Sequence, residues 1–299
     1  MRRRVGRRAL EISHPDKVLF PGDGITKADL VEHYVRVAEV MVPHIRNRPL
    51  TQHRFPGGID GYGFWHKQIP EYFPDWIPRV RVRTEKGPQE QILCNDAPTL
   101  AYLANQNCIT PHVWLSRAPE VDRPDELVID LDPPGDDFEP VRRGALLARD
   151  LLDDIGLVPF VKTTGSKGLH VVAPLRRDTT FDQLREFARG LAVVLAEEDE
   201  HLTTEVRKKQ RHGRVFVDVG RNAWGQTAVP PYAVRARAGA PVATPLHWEE
   251  VEDRRLGPRS HTFRTLPDRL DRVGDPWSGM GRRARSLAGA ARSLDRMPR

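Results

Sequence analysis

Leu127-Val128-Ile129-Asp130-Leu131-Asp132-Pro133-Pro134 is the stretch on which the fold turns. Side chains of an extended strand alternate between its two faces. Val128, Asp130 and Asp132 therefore share one face of a strand over 127–132, and Leu127, Ile129 and Leu131 the other. Downstream, 138–155 has the apolar stripe of an amphipathic helix and is ended by Gly156; 158–163 reads as a strand. The turn Gly165-Ser166-Lys167-Gly168 leads into a strand over 169–173. Thr180 and Gln183 form a capping box at the start of a helix reaching about Glu198, and 214–219 reads as a last strand. The order β-α-β-β-α-β is that of a split βαβ, or ferredoxin-like, unit. Right-handed crossovers arrange its strands 4-1-3-2, with the first between the fourth and the third. Asp218, which occupies an apolar position in the last strand, is thereby predicted to lie beside Asp130 and Asp132.

Three carboxylates on one patch are costly to bury unless a cation bridges them or basic residues surround them. An all-oxygen donor set suits Mg²⁺ or Mn²⁺ rather than zinc, and a pair of ions is the usual arrangement for phosphoryl transfer. A lone Asp-x-Asp reads first as a strand end capping a turn; the acid on the adjacent strand reverses that preference in favour of the metal. In Gly165-Ser166-Lys167-Gly168 the side chains of Ser166 and Lys167 and the backbone N–H groups can cradle phosphate oxygens, and His170 points to one face of the next strand. Alone this is a hairpin turn; beside the acids it reads as a triphosphate site. Metal-bound acids facing cationic phosphate clamps imply nucleotidyl transfer.

Upstream, Thr26 can cap a helix that begins at Lys27, with Asp29 near its positive end and Leu30, Tyr34, Val37, Met41 and Ile45 at helical spacing, Pro43 limiting the last turn. Between Pro49 and Pro124 the pattern is of short strands (50–55, 80–83, 91–94) and a helix near 99–107. From Arg254 to Arg299 the sequence is arginine-rich and weakly periodic, a short helix or a loose basic arm. The 47 Lys+Arg against 41 Asp+Glu give +6, which fits either a GC-rich codon habit, since only eight of these cations are lysine, or binding to a polyanion. Two cysteines exclude a disulfide framework and a multi-cysteine zinc site. The start MRRRVGRRAL lacks the apolar core of a signal peptide, and the chain has no 18-residue apolar run. The expectation is a soluble, cytoplasmic, nucleoid-associated protein.

The segments HPDKVLFPGDGITKADLVEHY, GFWHKQIP, HVWLSR, VIDLDPP, TTGSKGLHVVAPL and VDVGRNAWGQTAVPPYAVRARAGAPVATPL resemble, in order, the polymerase domain of bacterial non-homologous end-joining ligase D, within the archaeo-eukaryotic primase superfamily. The resemblance covers about residues 10–265. It implies an α/β (α+β) primase fold whose split βαβ core is joined to an N-terminal α/β subdomain. That divides the chain into 1–125 as a DNA-end-binding subdomain, 126–265 as catalytic core and 266–299 as a basic segment. It implies that Asp130, Asp132 and Asp218 are catalytic and hold two Mn²⁺ or Mg²⁺ ions. Ser166 and His170, with Lys167, Gln226, Arg235 and His112, would contact the nucleotide. Lys17 and Lys27 would grip a DNA 5′-phosphate, and Phe64 and Trp65 would stack on the template, Trp65 standing where the family has Phe. Ribonucleotide preference, a Ku-type end-binding partner and a separate DNA ligase are further implications.

The residues themselves speak to some of these roles. Lys27 at a helix start opposes the dipole unless an anion binds there; a solvated lysine is the alternative. Phe64-Trp65, bordered by Gly61 and Gly63, is either an exposed platform or a core pair. Trp76, Trp114, Trp224, Trp248 and Trp277 read as core or rim, and His14, His33, His44, His53 and His66 show no metal spacing. None of the lysines lies in the Lys-x-Asp-Gly context of an adenylating ligase. The expectation is thus a stand-alone polymerase module or an excised piece of a longer protein. A primase starting chains de novo, a non-catalytic DNA-end adaptor and a sugar-nucleotide transferase remain the competing readings.

Overall fold

In the computed structural model, which describes residues 1–84 and 87–297, the chain forms two compact units. The first comprises Met1–Val121, Thr227–Ala243 and His261–Arg272; the second comprises Asp122–Gln226, Thr244–Ser260 and Val273–Arg299. Pro298 and Arg299, the end of the arginine-rich segment, lie outside the described residues. Among the described residues no helix is long and apolar enough to cross a membrane.

The second unit is built on a six-stranded sheet. Its four central strands are Val215–Asp218, Glu126–Asp132, Leu169–Pro174 and Phe160–Thr163 in that spatial order, which is the predicted 4-1-3-2. Leu202–Thr203 joins one edge in parallel and Pro245–Leu246 the other antiparallel. The helices Glu139–Asp154 and Phe181–Glu198 follow the first and third of these strands. Their apolar residues form one core with Leu127, Ile129, Leu131, Val161, Leu169, Val171, Val215 and Val217. Thr180 caps the second helix through the predicted box with Gln183. The opposite sheet face is thus the one that carries Asp130 and Asp132.

The arginine-rich end is more ordered than a loose arm. It contains helices Leu266–Val273 and Leu287–Leu294. Trp277, 2% exposed, donates from its indole N–H to the Val161 carbonyl at 2.9 Å.

The first unit holds a sheet ordered Thr227–Ala228, Cys108–Trp114, Pro49–Arg54, Gly87–Leu93 and Arg79–Thr84, with Phe64–His66 also paired to Pro49–Arg54. Helix Lys27–Ile45 starts at the Thr26–Asp29 capping box and runs through Pro43. With Ala97–Asn105 it packs in the core around Leu50, Ile92, Ile109 and Val113. Several strands escaped the sequence reading. Arg2–Val5 and Arg8–Glu11 form a hairpin whose arginine-rich faces conceal a period of only Val5, Leu10 and Ile12 inward. Cys108–Trp114 contains Pro111 although it lies inside the sheet, and a proline argues against an interior strand.

His33 lies on helix Lys27–Ile45, its ring stacked on Phe263 at 4.7 Å, and its Nε2 has no hydrogen-bond partner among the described residues. Burial, with Arg36 adding to it and a hydrogen bond to the Tyr232 backbone opposing, pulls its pKa down to about 4. The unfolded chain, near 6.5 at this group, binds more protons between pH 6.5 and 4, so stability falls as pH falls through that window. His33→Leu should remove up to about 3 kcal/mol of acid-side destabilisation between pH 7 and 4. Urea unfolding of both proteins at pH 7 and 4.5 measures the difference.

Candidate metal and phosphate site

The strand registers of the second unit carry a row of side chains across four strands. Lys162 pairs with His170, His170 with Asp130, and Asp130 with Asp218. Directly paired residues project from the same face of a sheet. Asp132, two residues beyond Asp130, lies on that face opposite Phe216. One carboxylate oxygen from each of Asp130, Asp132 and Asp218 lies within 4.8 Å of the others.

This crowding sets the charge states. Burial, then Asp130 and Asp218, push Asp132 up to about 6, against the pull of Arg211 and Arg221. Burial opposes ionisation of Asp130 as well, but His170, Arg221 and Lys162 outweigh it and hold its pKa below the ordinary value. His170 is pulled down to about 4 by burial first and by Lys162 second, against Asp130. At neutral pH the pair is a carboxylate and a neutral imidazole, His170 Nε2 lying 3.3 Å from Asp130 Oδ2. Donation from Nε2 leaves Nδ1 as an acceptor.

The residues fit a divalent cation. Asp130 Oδ1 is buried without a hydrogen-bond partner among the described residues, a costly condition for a carboxylate oxygen. A hard cation held by three carboxylates relieves both that desolvation and the mutual repulsion, and the donor set suits Mg²⁺ or Mn²⁺.

The loop after Phe160–Thr163 closes beside the acids. A Cβ on Gly168 would sit 1.8 Å from the Leu131 carbonyl oxygen, so only glycine lets the loop pass the acidic strand this closely. The backbone N–H groups, expected to cradle phosphate, converge instead on Thr164 Oγ1: Ser166 at 3.2 Å, Lys167 at 3.3 Å and Gly168 at 3.2 Å. The two lone pairs of one hydroxyl are thus shared among three donors of a tight turn. Of the side chains in this loop, Ser166 is half-buried and Lys167 exposed. Arg259 Nε donates to the Ser166 carbonyl at 2.9 Å. Gln226 is exposed at the end of a segment of this unit.

The first unit gathers the remaining candidates into two groups, because Phe64 and Trp65 are consecutive in a strand and project from opposite faces. Trp65, 52% exposed, stacks on His53 at 4.0 Å and meets His112 edge-on at 4.7 Å. Burial first, and the half-buried Arg235 second, pull His53 down to about 4. Phe64 lies instead under Arg54, 5.6 Å from its ring centroid, and stacks with Tyr62. Lys27 is buried and donates to Ser13 Oγ at 3.3 Å, while its backbone N–H donates to the Lys17 carbonyl. Burial, then Lys17 and Arg54, lower its pKa. Lys17, Lys27 and Arg54 thus form a cationic group, with Phe64 next to it through Arg54. The sequence expectation of one aromatic platform gives way to one ring in each group.

Sequence reasoning missed Lys162, Arg211, Arg221, Arg54 and His53. Lys162 carried a usable signal, a charge at an apolar strand position like that of Asp218. The two arginines facing the acids lie among many others and carried none.

The family model described as LigD, primase-polymerase domain, matches residues 26–277. The chain is 33% identical over 298 residues to the multifunctional non-homologous end joining protein LigD of Pseudomonas aeruginosa, covering 98% of this chain and 35% of that protein. With the Mycobacterium tuberculosis counterpart it shares 36% over 278 residues, 88% of this chain and 36% of the relative. The chain therefore spans about a third of the length of these relatives. Its structure superposes on the polymerase domain of Mycobacterium tuberculosis ligase D, solved in complex with DNA, with TM-score 0.87 and 34% identity, covering 92% of this chain and 99% of that one.

Asp132→Asn removes one member of the repelling triad and one candidate cation ligand. In chelator its melting temperature should exceed that of the parent protein, whereas added Mn²⁺ should raise the parent's melting temperature and leave the variant's within 1 °C, about the scatter of such scans. Differential scanning calorimetry with and without chelator reads both.

Proposed function

The chain belongs to the LigD primase-polymerase domain family, and on that premise we propose that it is a template-directed nucleotidyltransferase extending primer 3′ ends at gaps and double-strand breaks in non-homologous end joining. The observation that carries this reading is the convergence of Asp130, Asp132 and Asp218 on one sheet face next to a loop that carries Ser166 and Lys167.

In this reading the primer 3′-oxygen attacks the α-phosphorus of a nucleoside triphosphate in line with the departing pyrophosphate; one P–O bond forms as the other breaks. Two divalent ions, Mn²⁺ or Mg²⁺, would be held by the three aspartates; when bound they lower the pKa of the 3′-hydroxyl and neutralise the leaving charge. His170 fixes the Asp130 carboxylate through Nε2. In the second unit Ser166, Lys167 and Gln226 are assigned to the nucleotide, with ribonucleotides favoured; Arg235 and His112 of the first unit are assigned, separately, the same class of ligand. Lys17 and Lys27, joined by Ser13 and Arg54, receive the 5′-phosphate across the gap, where charge-assisted hydrogen bonds are stronger than neutral ones. Trp65 and Phe64 stack on bases, at about 1–3 kcal/mol each. Sealing the product belongs to an adenylating DNA ligase, and an end-binding Ku-type protein would bring the broken ends. A non-catalytic adaptor would keep the 5′-phosphate group but has no use for the acids.

Extension of a primer on a gapped duplex, with ribo- or deoxyribonucleotides and Mn²⁺ or Mg²⁺, tests the reading. Product should form, and Asp130→Ala and Asp218→Ala should lower its rate at least about 10³-fold while DNA binding persists. Lys27→Ala should weaken binding only when the downstream 5′-phosphate is present. Absence of extension under every condition refutes the reading.

A further inference from the structure

Asp218 is the last residue of its strand, and the pairing with Glu126–Asp132 stops with it. The chain then leaves the sheet through Val219 and the short turn Gly220–Asn222. Along a strand, residues two apart direct their N–H and C=O groups to the same side. Val128 therefore presents its backbone toward the same neighbour as Asp130, but finds no strand residue there.

Asn222, 0% exposed, takes that place. Its Oδ1 accepts from the Val128 N–H at 2.9 Å, and its Nδ2 donates to the Val128 carbonyl at 2.7 Å and to the Val219 carbonyl at 2.9 Å. A carboxamide carries the same donor and acceptor pair as a peptide group. The side chain thus adds one more rung to the ladder after the main chain has departed. The same turn places the Gly220 N–H on Asp218 Oδ1 at 2.8 Å, so the anchored loop also sets the rotation of that carboxylate.

We propose that Asn222 is a positioning residue for the metal site: its side chain holds the end of the Asp218 strand against the Asp130 strand, and so keeps the triad within ligating distance despite its own repulsion. The role rests on the metal-dependent reading given above and extends it to a residue that touches neither ion nor nucleotide. Other carboxamide or hydroxyl side chains do not replace it. Asn222→Gln inserts one methylene too many for the enclosed space, and a serine could reach only one of the three backbone groups.

The experiment compares Asn222→Ala and Asn222→Ser with Val251→Ala, a truncation of a fully buried residue in the same core. Mn²⁺ affinity is read by electron paramagnetic resonance of the free ion, without nucleotide or DNA, and kcat and nucleotide KM are read by primer extension. Asn222→Ala should bind Mn²⁺ at least tenfold more weakly and lose kcat with little change in KM; Asn222→Ser should fall between it and the parent. Val251→Ala should stay within twofold of the parent in Mn²⁺ affinity even where its melting temperature falls as far. If Asn222→Ala does not fold, the serine variant decides by the same measure. Folded Asn222 variants whose Mn²⁺ affinity and kcat match those of Val251→Ala overturn the proposal while leaving the function intact. Metal binding that depends on Asn222 in a chain unable to extend any primer would sustain the positioning role and refute the polymerase reading.

Discussion

Mutual repulsion among three carboxylates on one sheet face is the constraint to which the second unit answers. The acids are assembled by strand pairing rather than by local sequence: Asp130 and Asp218 are far apart in the chain and face each other only because the fourth strand lies beside the first. The energy to hold them comes from the apolar face of the same strands, where the alternate residues pack under two helices. Around the acids the fold places compensating groups of graded kind. Lys162 and Arg221 lower Asp130, Arg211 and Arg221 oppose the rise of Asp132, and a neutral His170 supplies a hydrogen bond. What repulsion survives is the part that favours a cation.

Close approach is the second requirement, and it explains the small residues near the acids. Gly168 lets the loop pass against the Leu131 carbonyl, and Thr164 absorbs the N–H groups that the turn would leave unpaired. The loop backbone is thus held on Thr164, while the Lys167 side chain stands exposed. In the first unit the same strand alternation separates Phe64, with the cationic group of Lys17, Lys27 and Arg54, from Trp65, with His53 and His112. Two adjacent aromatic residues consequently serve two faces of one short strand.

Most of the second unit was legible because each element carries its own period: the alternation of 127–132, the capping box at Thr180 and the glycine after the first helix are local signals. The first unit was less so. Its strand Cys108–Trp114 is interrupted by Pro111, its first hairpin is masked by arginines, and its sheet depends on pairings between distant segments. The aspartates could be placed because a charge at an apolar strand position is conspicuous. Arg211, Arg221 and Asn222 could not, since arginine is abundant here and a buried asparagine looks like a turn residue until its partners are known.

The sequence by itself determined the four central strands of the second unit's sheet, their order, and the face on which the acids stand, because alternation and crossover handedness are properties of a local chain. Only the tertiary structure decided where hydrogen bonds and charges end up. It turned the loop N–H groups onto Thr164, held His170 neutral against Asp130, split Phe64 from Trp65, and put the Asn222 carboxamide on Val128. Those outcomes depend on register, burial and the direction of individual donors, and none of these is specified until distant segments have met.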